Sequence, residues 1–509
     1  MRKFGVGILA ILFLLLPFHP FLKTFLDQSI FHGNLPTILV AWKEILVVIF
    51  CFISLFLSFQ KKTEFQFDSL DFAILSFCVV SILTGIFFTG SGFPQNIWQV
   101  LWGAKYSLLF LIFFTAVRKF PFTIFEKKKL FNITIFSGTL VIFFGIMQVF
   151  LPENFLVNFG YLSEYGNTNP EKGISYCHKI ENRFTTDEFC RSQSTFSGPN
   201  QFAAYLIVIL PILFFGALQS QQLLTTLFFF LIFLAGGINL FLTFSRSVWI
   251  GAIFSAAIFF IISARKKINA NNFFLIFLMG IFSLFFPIFS PENFDQLSKF
   301  SIFFAGGFLF FLVFFWISNF WKKYFSPFFS SFFPLILGGF LVSKIWAGEF
   351  FWNIFVRPSS SKGHLERTLD GIKFLKENLI GLGLGDAGPA SARFANPGET
   401  GFLPESWFLQ VGLESGFLGL ALFLTIIFLI GQELCKSKNI NTKPLFLSLV
   451  ALVVAGNLLH IFESAAVSLT FFGLMGVALA REEKKFWEKI KKFSSEIFKK
   501  IWQIGIFKK

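Results

Sequence analysis

The feature that most constrains this chain is the repetition of apolar blocks about twenty residues long. A helix of that length spans the roughly 30 Å hydrocarbon core of a bilayer, and a helix satisfies its own backbone hydrogen bonds in lipid. Charged residues make up 14% of the 509 residues, against about a quarter in soluble proteins. The blocks therefore predict an all-α fold, a polytopic transmembrane helical bundle.

Fourteen blocks are candidate spans, and the break at Ser245–Ser247 and the closeness of the last two blocks leave about 12–14 open. The predicted spans are 4–20, 36–58, 70–89, 97–117, 130–150, 200–218, 223–243, 247–264, 272–289, 300–320, 325–346, 406–431, 445–461 and 464–480. Two connections are long, Leu151–Pro199 and Ala347–Glu405, and loops of that length are usually functional.

Basic residues cluster on alternate connections between these spans. The clusters are Arg2/Lys3, Lys61/Lys62, Arg118/Lys119 with Lys127–Lys129, Arg265–Lys267, Lys322/Lys323, Lys436/Lys438/Lys443 and the residues after Arg481. Such an excess marks the cytoplasmic side, so the pattern predicts an inner-membrane protein with both termini in the cytoplasm and both long loops outside. The net charge of +15 then reflects topology, and no nucleic-acid partner is expected.

Four regions follow from this pattern. Residues 1–190 form an N-terminal transmembrane region, with the first external loop at 151–199. Residues 191–432 form a core that includes the external loop 347–405, and 433–480 form a C-terminal transmembrane pair. In the basic tail, 481–509, apolar residues recur at helical spacing, which predicts an amphipathic helix on an anionic leaflet.

Two of the five cysteines, Cys177 and Cys190, fall in the first external loop. An oxidising compartment permits a disulfide there, which would staple a polar loop. A disulfide is favoured over free thiols, and metal binding by the two cysteines and His178 is the third alternative.

Ionisable residues within predicted spans point to function, since each costs roughly 2.5–3.5 kcal/mol on insertion scales. The candidates are Lys43, Glu44, Lys105, Arg246, Glu414, His460 and Glu463. A structural pair or snorkelling is favoured for Lys43/Glu44 and for Glu414, and function is favoured for Arg246. Lys105, Arg246, His460 and Glu463 all fall toward the external side.

The end of the second external loop is predicted to begin as a helix at Gly363 and to end before Gly381. His364 and Arg367 lie one turn apart on one face of that helix. Gly381, Gly383 and Gly385 then alternate, which fits either a loop that presents N–H groups to a phosphate or a plain flexible turn.

No nucleotide is available on the external side, so an enzyme acting there needs a substrate that arrives activated. A glycan linked through diphosphate to a polyprenyl lipid meets that requirement. Such a substrate calls for cations at the diphosphate and a base for the acceptor hydroxyl.

Four segments, in order, resemble the O-antigen ligase/polymerase family of lipid-linked glycan transferases. Arg191–Asn200 (RSQSTFSGPN) resembles the family's Arg…Phe-x-x-Pro-Asn entry to a span, and Ser245–Gly251 (SRSVWIG) resembles its Ser-Arg-x-x-x-x-Gly. Arg367 with Asn378–Gly385 (NLIGLGLG) is similar to its Arg…Pro-Leu-x-Gly-x-Gly segment. Glu405–Gln410 (ESWFLQ), with Glu414, Gly416 and Gly419, is similar to its His-Asn-x-(Tyr/Phe)-Leu…Glu-x-Gly-x-x-Gly.

The resemblance implies a glycan transferase on the outer face of the inner membrane that works without a metal or other cofactor. The donor would be a glycan on undecaprenyl diphosphate, and the acceptor a lipid, a growing glycan or a protein. By position, Arg246, Arg367 and Arg191 would bind the diphosphate, with Lys105 on the same side.

Glu405 and Ser406 replace the family's usual His-Asn. Three alternatives stay open: Glu405 is the base in an environment that suits it, His364 substitutes, or the activity is altered. Glu405 would otherwise pair with Arg367 and hold the loop. Other function classes are a flippase or transporter of lipid-linked glycans, which should carry polar groups through the full bilayer depth, and an inactive scaffold.

Overall fold

In the computed structural model of the protein, the residues described are 1–60, 67–87, 97–152, 155–161, 177–181, 186–265, 358–394, 401–437 and 439–480. Helices dominate this part of the chain, so the predicted all-α class is confirmed. The one departure among the described residues is a small β-hairpin formed by β1, Cys177–Glu181, and β2, Thr186–Cys190.

The helices are numbered in chain order. They are α1 Arg2–Leu15, α2 His19–Ser29, α3 Thr37–Val40, α4 Trp42–Gln60, α5 Ser69–Phe87, α6 Ile97–Ser107, α7 Leu109–Lys119, α8 Ile124–Phe150, α9 Pro199–Gln219, α10 Leu223–Leu242, α11 Arg246–Arg265, α12 Pro358–Glu377, α13 Gly388–Phe394, α14 Trp407–Lys436, α15 Thr442–Gly456 and α16 Ala465–Leu479. Single 3-10 turns lie at Leu16–Phe18 and Val157–Phe159.

Seven helical segments in the described residues are long and apolar enough to cross a membrane, and the pair α6–α7, bent by 49°, adds an eighth. Helices α11, α15 and α16 are apolar but shorter. These eleven segments coincide with the eleven predicted spans that fall in the described part. The spans 272–289, 300–320 and 325–346 and the tail 481–509 lie outside the described residues.

Helix α9 lies near the centre of the described bundle and packs against α8, α10, α11, α15 and α16. It is apolar on all sides, as a helix enclosed by others must be, and 72% of its most apolar stretch of 18 residues is buried. Small residues let helices approach closely in membranes. Gly251 of α11, for example, lies against the carbonyl of Ala451 in α15.

The described residues allow two predictions about the long loops to be compared with the structure. Helix α12 begins at Pro358, so the predicted start at Gly363 is wrong by about one turn. Proline favours the first helical position because its φ is already helical and its missing N–H would be unbonded there. In the hairpin, Cys177 lies opposite Cys190 in the antiparallel register.

The two ends of helix α14 define the two ends of the bundle. The helix has 30 residues, which span about 45 Å at 1.5 Å per residue. Glu405 lies just before its first residue. Near its last residue, Glu433 accepts a hydrogen bond from Arg118 at 2.8 Å. We call these the Glu405 end and the Arg118 end.

Candidate functional site

At the Arg118 end, one buried arginine joins three helices. Arg118 of α7 donates to Asp68 at 2.8 Å, to Glu433 of α14 at 2.8 Å, and to Asp71 of α5. Burial alone would raise the pKa of Asp68, but the hydrogen bond and the charge of Arg118 outweigh it and lower that pKa to about 2. This network holds the fold together far from Glu405.

The alternating-glycine loop docks into a break in α14. Gly416 has φ 71°, outside the helical range, and interrupts the helix. Two backbone hydrogen bonds cross at this break, from Leu382 N to Leu413 O at 2.7 Å and from Phe417 N to Leu379 O at 2.8 Å. The two segments that resemble the family's glycine motifs are therefore bonded to each other.

Close packing explains why glycine stands at these positions. A Cβ on Gly416 would lie 2.3 Å from the carbonyl oxygen of Ile380, and a Cβ on Gly381 would lie 2.6 Å from the amide of Gly416. On the other side of the loop, a Cβ on Gly103 of α6 would meet the amide of Gly385 at 2.5 Å. The loop is thus a turn packed closely between α6 and α14.

Next to this loop, Arg367 of α12 pairs with Glu405 at 2.9 Å between Nη1 and Oε1. The Arg367 side chain is 58% exposed and that of Glu405 is 14% exposed. Ser406 caps α14 by accepting from Leu409 N at 3.4 Å, and its hydroxyl donates to the carbonyl of Gly456 at 3.4 Å. Ser406 therefore lies against the end of α15.

The connection from α15 to α16 carries two further ionisable residues, His460 and Glu463. Gln201 of α9 donates to Glu463 Oε1 at 3.4 Å. Burial raises the pKa of Glu463, the charge of His460 and the bond from Gln201 lower it, and the charge of Glu405 raises it. Among the described residues, neither ring nitrogen of His460 has a hydrogen-bond partner, although both are buried.

Cations gather around one carboxylate on the other side of the same end; we call this group the Lys105 cluster. Glu44 accepts from Lys43 at 3.2 Å and from Lys105 at 3.0 Å, which is the structural pair expected for Lys43/Glu44 with one more lysine. The ammonium of Lys105 lies 4.1 Å from the centre of the Trp102 ring, and the Arg393 guanidinium lies 4.0 Å from it. Two cations thus share one aromatic ring.

A cavity joins the Lys105 cluster to the α15–α16 connection. The cavity is small, with a volume of about 20 Å³, and its polar lining comes from Glu44, Lys105, Tyr106, Glu463 and Ser468. Apolar side chains of α7, of the α15–α16 connection and of α16 form the rest of the wall. The cavity therefore has charged groups from α4, α6 and the α15–α16 connection.

Arg191 and Arg246 lie at the turn between α10 and α11. Arg191 is buried and donates to the carbonyl of Thr243 at 2.7 Å and to Asn200 Oδ1 at 3.1 Å. It therefore holds this turn against the start of α9. Arg246 is the first residue of α11 and is half-buried.

The structure thus brings Arg367 onto Glu405 and places Lys105 on a cavity shared with Glu463. The side chain of His364 lies outside the described residues. Sequence reasoning missed Arg393, whose neighbours are far away in the chain, and Trp102, which the spacing of Trp102, Lys105 and Tyr106 on one helix face could have indicated.

Residues 228–424 match the family model described as O-antigen ligase. The resemblance to that family is confirmed. The matched ligase segment covers under half of the chain and includes Arg246, Arg367 and Glu405. It indicates a multi-pass membrane protein with glycosyltransferase or ligase activity, which uses a lipid-linked glycan donor and an acceptor. No curated protein and no solved structure matches the chain.

Proposed function

We propose that the protein transfers a glycan from a polyprenyl-diphosphate carrier, such as undecaprenyl diphosphate, to an acceptor at the outer face of the bacterial inner membrane. The acceptor is a lipid, a growing glycan or a protein. The Arg367–Glu405 pair carries the proposal. It joins two motifs of the ligase segment at 2.9 Å and lies at the start of a membrane-length helix, where a lipid-linked substrate would arrive.

The reaction requires a base at one oxygen and cations at others. The acceptor hydroxyl attacks the anomeric carbon, its proton goes to a base, and the bond from that carbon to the diphosphate oxygen breaks. The electron pair leaves with the diphosphate. Arginine suits that leaving group because its planar fork donates two parallel hydrogen bonds to phosphate oxygens.

We assign the diphosphate to Arg367 and Arg246, with Lys105 as a further cation at the same end. Arg191 would act through its hold on the α10–α11 turn, which ends at Arg246. Glu405 stands at the base position that the resemblance implies, and His364, one turn from Arg367, is the alternative base.

Reconstitution of the full chain in proteoliposomes tests this function. When a synthetic polyprenyl-diphosphate glycan and an acceptor glycolipid are included in the membrane of the same vesicles, a higher-mass glycolipid product is expected. Movement of the donor between leaflets without product would favour the flippase alternative, and donor binding without either would favour the scaffold.

We place the Glu405 end outside the cell and the Arg118 end in the cytoplasm, on the evidence of the basic clusters. In intact cells, an impermeant maleimide should label Asn34→Cys, at the exposed α2–α3 connection. It should spare Lys128→Cys, exposed near the start of α8, until the cells are permeabilised. The reverse pattern would overturn this orientation.

We also propose a Cys177–Cys190 disulfide, since the two residues oppose each other across the hairpin in the compartment that permits oxidation. Alkylation of both cysteines without prior reduction, read by mass, would contradict it.

A further inference from the structure

The base of the proposed reaction has a better-placed candidate than the residue at the family's usual position. Glu405 already pairs with Arg367 at 2.9 Å and faces a largely exposed guanidinium. A carboxylate that holds an arginine in place contributes to the diphosphate site, and a proton acceptor is then needed elsewhere within reach of the same space.

Glu463 is a carboxylate that lines the cavity beside the Lys105 cluster. It shares this lining with Glu44, Lys105 and Tyr106, and Gln201 donates to one of its oxygens at 3.4 Å. The α15–α16 connection that carries Glu463 begins after Gly456, whose carbonyl accepts a hydrogen bond from Ser406, the residue that follows the family's base position. A hydroxyl held in this cavity would therefore lie beside Glu463, Glu44 and the ammonium of Lys105.

His460 supplies an independent observation. Both of its ring nitrogens are buried without a hydrogen-bond partner in the described part of the chain. Leaving a buried polar group unbonded costs roughly 1–3 kcal/mol, so such a group calls for a specific explanation. Its charge acts on Glu463, as does that of Glu405.

We propose that Glu463 is the proton acceptor for the acceptor hydroxyl, with His460 as a positioning residue. The inference rests on the proposed transferase function. The proton moves from the hydroxyl to a Glu463 oxygen as the new glycosidic bond forms and the diphosphate leaves. The raised pKa of Glu463 supports the assignment, because a general base works best with a pKa near the operating pH.

Substitution separates this role from that of Glu405. A general base contributes about 10²–10⁴ in rate, so Glu463→Gln should lower transfer by that factor while binding of the polyprenyl-diphosphate donor persists. Glu405→Gln should keep an acid limb in its pH profile, moved to lower pH because the charge of Glu405 raises the pKa of Glu463. Glu377→Gln, an exposed carboxylate at the end of α12, is the matched control and should behave as wild type.

His460→Gln provides a readout that a merely structural residue would not move. The charge of His460 lowers the pKa of Glu463, so its removal should shift the acid limb of the rate profile to higher pH. The other titratable groups near Glu463 are Glu44, Lys105, Tyr106 and Glu405. The variant keeps all four, so the remainder of the pH–rate profile should not change. His32→Gln, exposed in the α2–α3 connection, should leave the limb in place.

The possible failures are distinct. If the wild-type chain forms no product, the proposed function itself fails. If it forms product and Glu463→Gln is fully active, or if Glu463→Gln loses donor binding together with transfer, the inference about Glu463 is wrong and the transferase proposal stands.

Discussion

The two ends of the bundle use charge in different ways. At the Arg118 end, one guanidinium is enclosed by Asp68, Asp71 and Glu433. At the Glu405 end, Lys43 and Lys105 share Glu44, one oxygen of which has no hydrogen-bond partner among the described residues. Arg118 Nε likewise has no hydrogen-bond partner among the described residues, so the two ends differ in what surrounds the charges. Three carboxylates enclose Arg118 and fix helices, whereas Glu44 and Lys105 line a cavity that a ligand can enter.

Energetics explain why this difference matters in a membrane protein. Removing one partner of a buried ion pair costs about 3–5 kcal/mol, while an exposed pair contributes about 0–1 kcal/mol. Arg118 is 8% exposed and the Arg367 side chain is 58% exposed. The comparison therefore predicts that substitutions at the Arg118 end change stability, and that those at the Glu405 end change transfer.

The largest expected effect is that of Arg118→Ala. It would leave the buried Asp71 with Lys119 as its remaining ion-pair partner, so the cost is bounded by the roughly 3–5 kcal/mol of an uncompensated buried charge. The thermal midpoint of the protein in detergent should fall sharply, and the transfer rate per folded molecule should stay near wild type. An unchanged midpoint would show that the network does not hold α5, α7 and α14 together.

Arg367→Ala should produce the opposite pattern. Loss of a group that stabilises developing charge costs about 10²–10³ in rate, whereas the thermal midpoint should barely move because the Arg367 side chain is largely exposed. Arg367→Lys should recover part of the rate, since lysine keeps the charge but not the planar fork.

Lys376→Ala, exposed on the same helix, serves as the control for loss of a cation. If Arg367→Ala retains full transfer, or if it unfolds the protein as Arg118→Ala does, the predicted difference between the two ends is wrong.

Gly416→Ala tests the docked loop that connects the site to the bundle. A side chain at φ 71° and ψ −176°, a conformation adopted essentially only by glycine, costs roughly 1–3 kcal/mol, and its Cβ would lie 2.3 Å from the carbonyl of Ile380. Both stability and transfer should decrease. Gly431→Ala, whose Cβ would meet nothing closer than 3.7 Å, should be neutral or slightly stabilising. Equal behaviour of the two variants would argue against the docking.

Local patterns explain how much of this was predictable. Apolar blocks gave the eleven spans in the described residues, and the break before Arg246 was visible in the polar triplet around it. The docking of Leu379–Gly385 onto Leu413–Phe417 was not predictable, because these bonds join residues 31 and 38 positions apart and glycine spacing alone also fits a flexible turn.

The candidate site shows the same limit. The sequence singled out Arg367, Glu405, Lys105 and Glu463 as separate costly or motif residues. It could not place Lys105 and Glu463 on one cavity, since their helices are distant in the chain and helix packing decides the contact. Arg393 reaches Trp102 for the same reason, and nothing in its local sequence indicates an aromatic partner.

The smallest expected effect concerns Asp68, at the rim of the Arg118 network. Its pKa in the folded protein is about 2, below the value of about 3.9 for an unfolded aspartate. The unfolded chain therefore binds the proton more readily, and the stabilisation by Asp68 is present above about pH 4 and is lost as the pH falls toward 2. The Asp68 side chain is 43% exposed, so solvent screening makes this contribution small.

The fall in thermal midpoint between pH 5 and pH 3 should be slightly smaller in Asp68→Asn than in wild type, whereas Asp370→Asn, exposed on α12, should follow wild type. A larger pH response in Asp68→Asn would mean that Asp71 and Glu433, and not Asp68, set the acid sensitivity of this end.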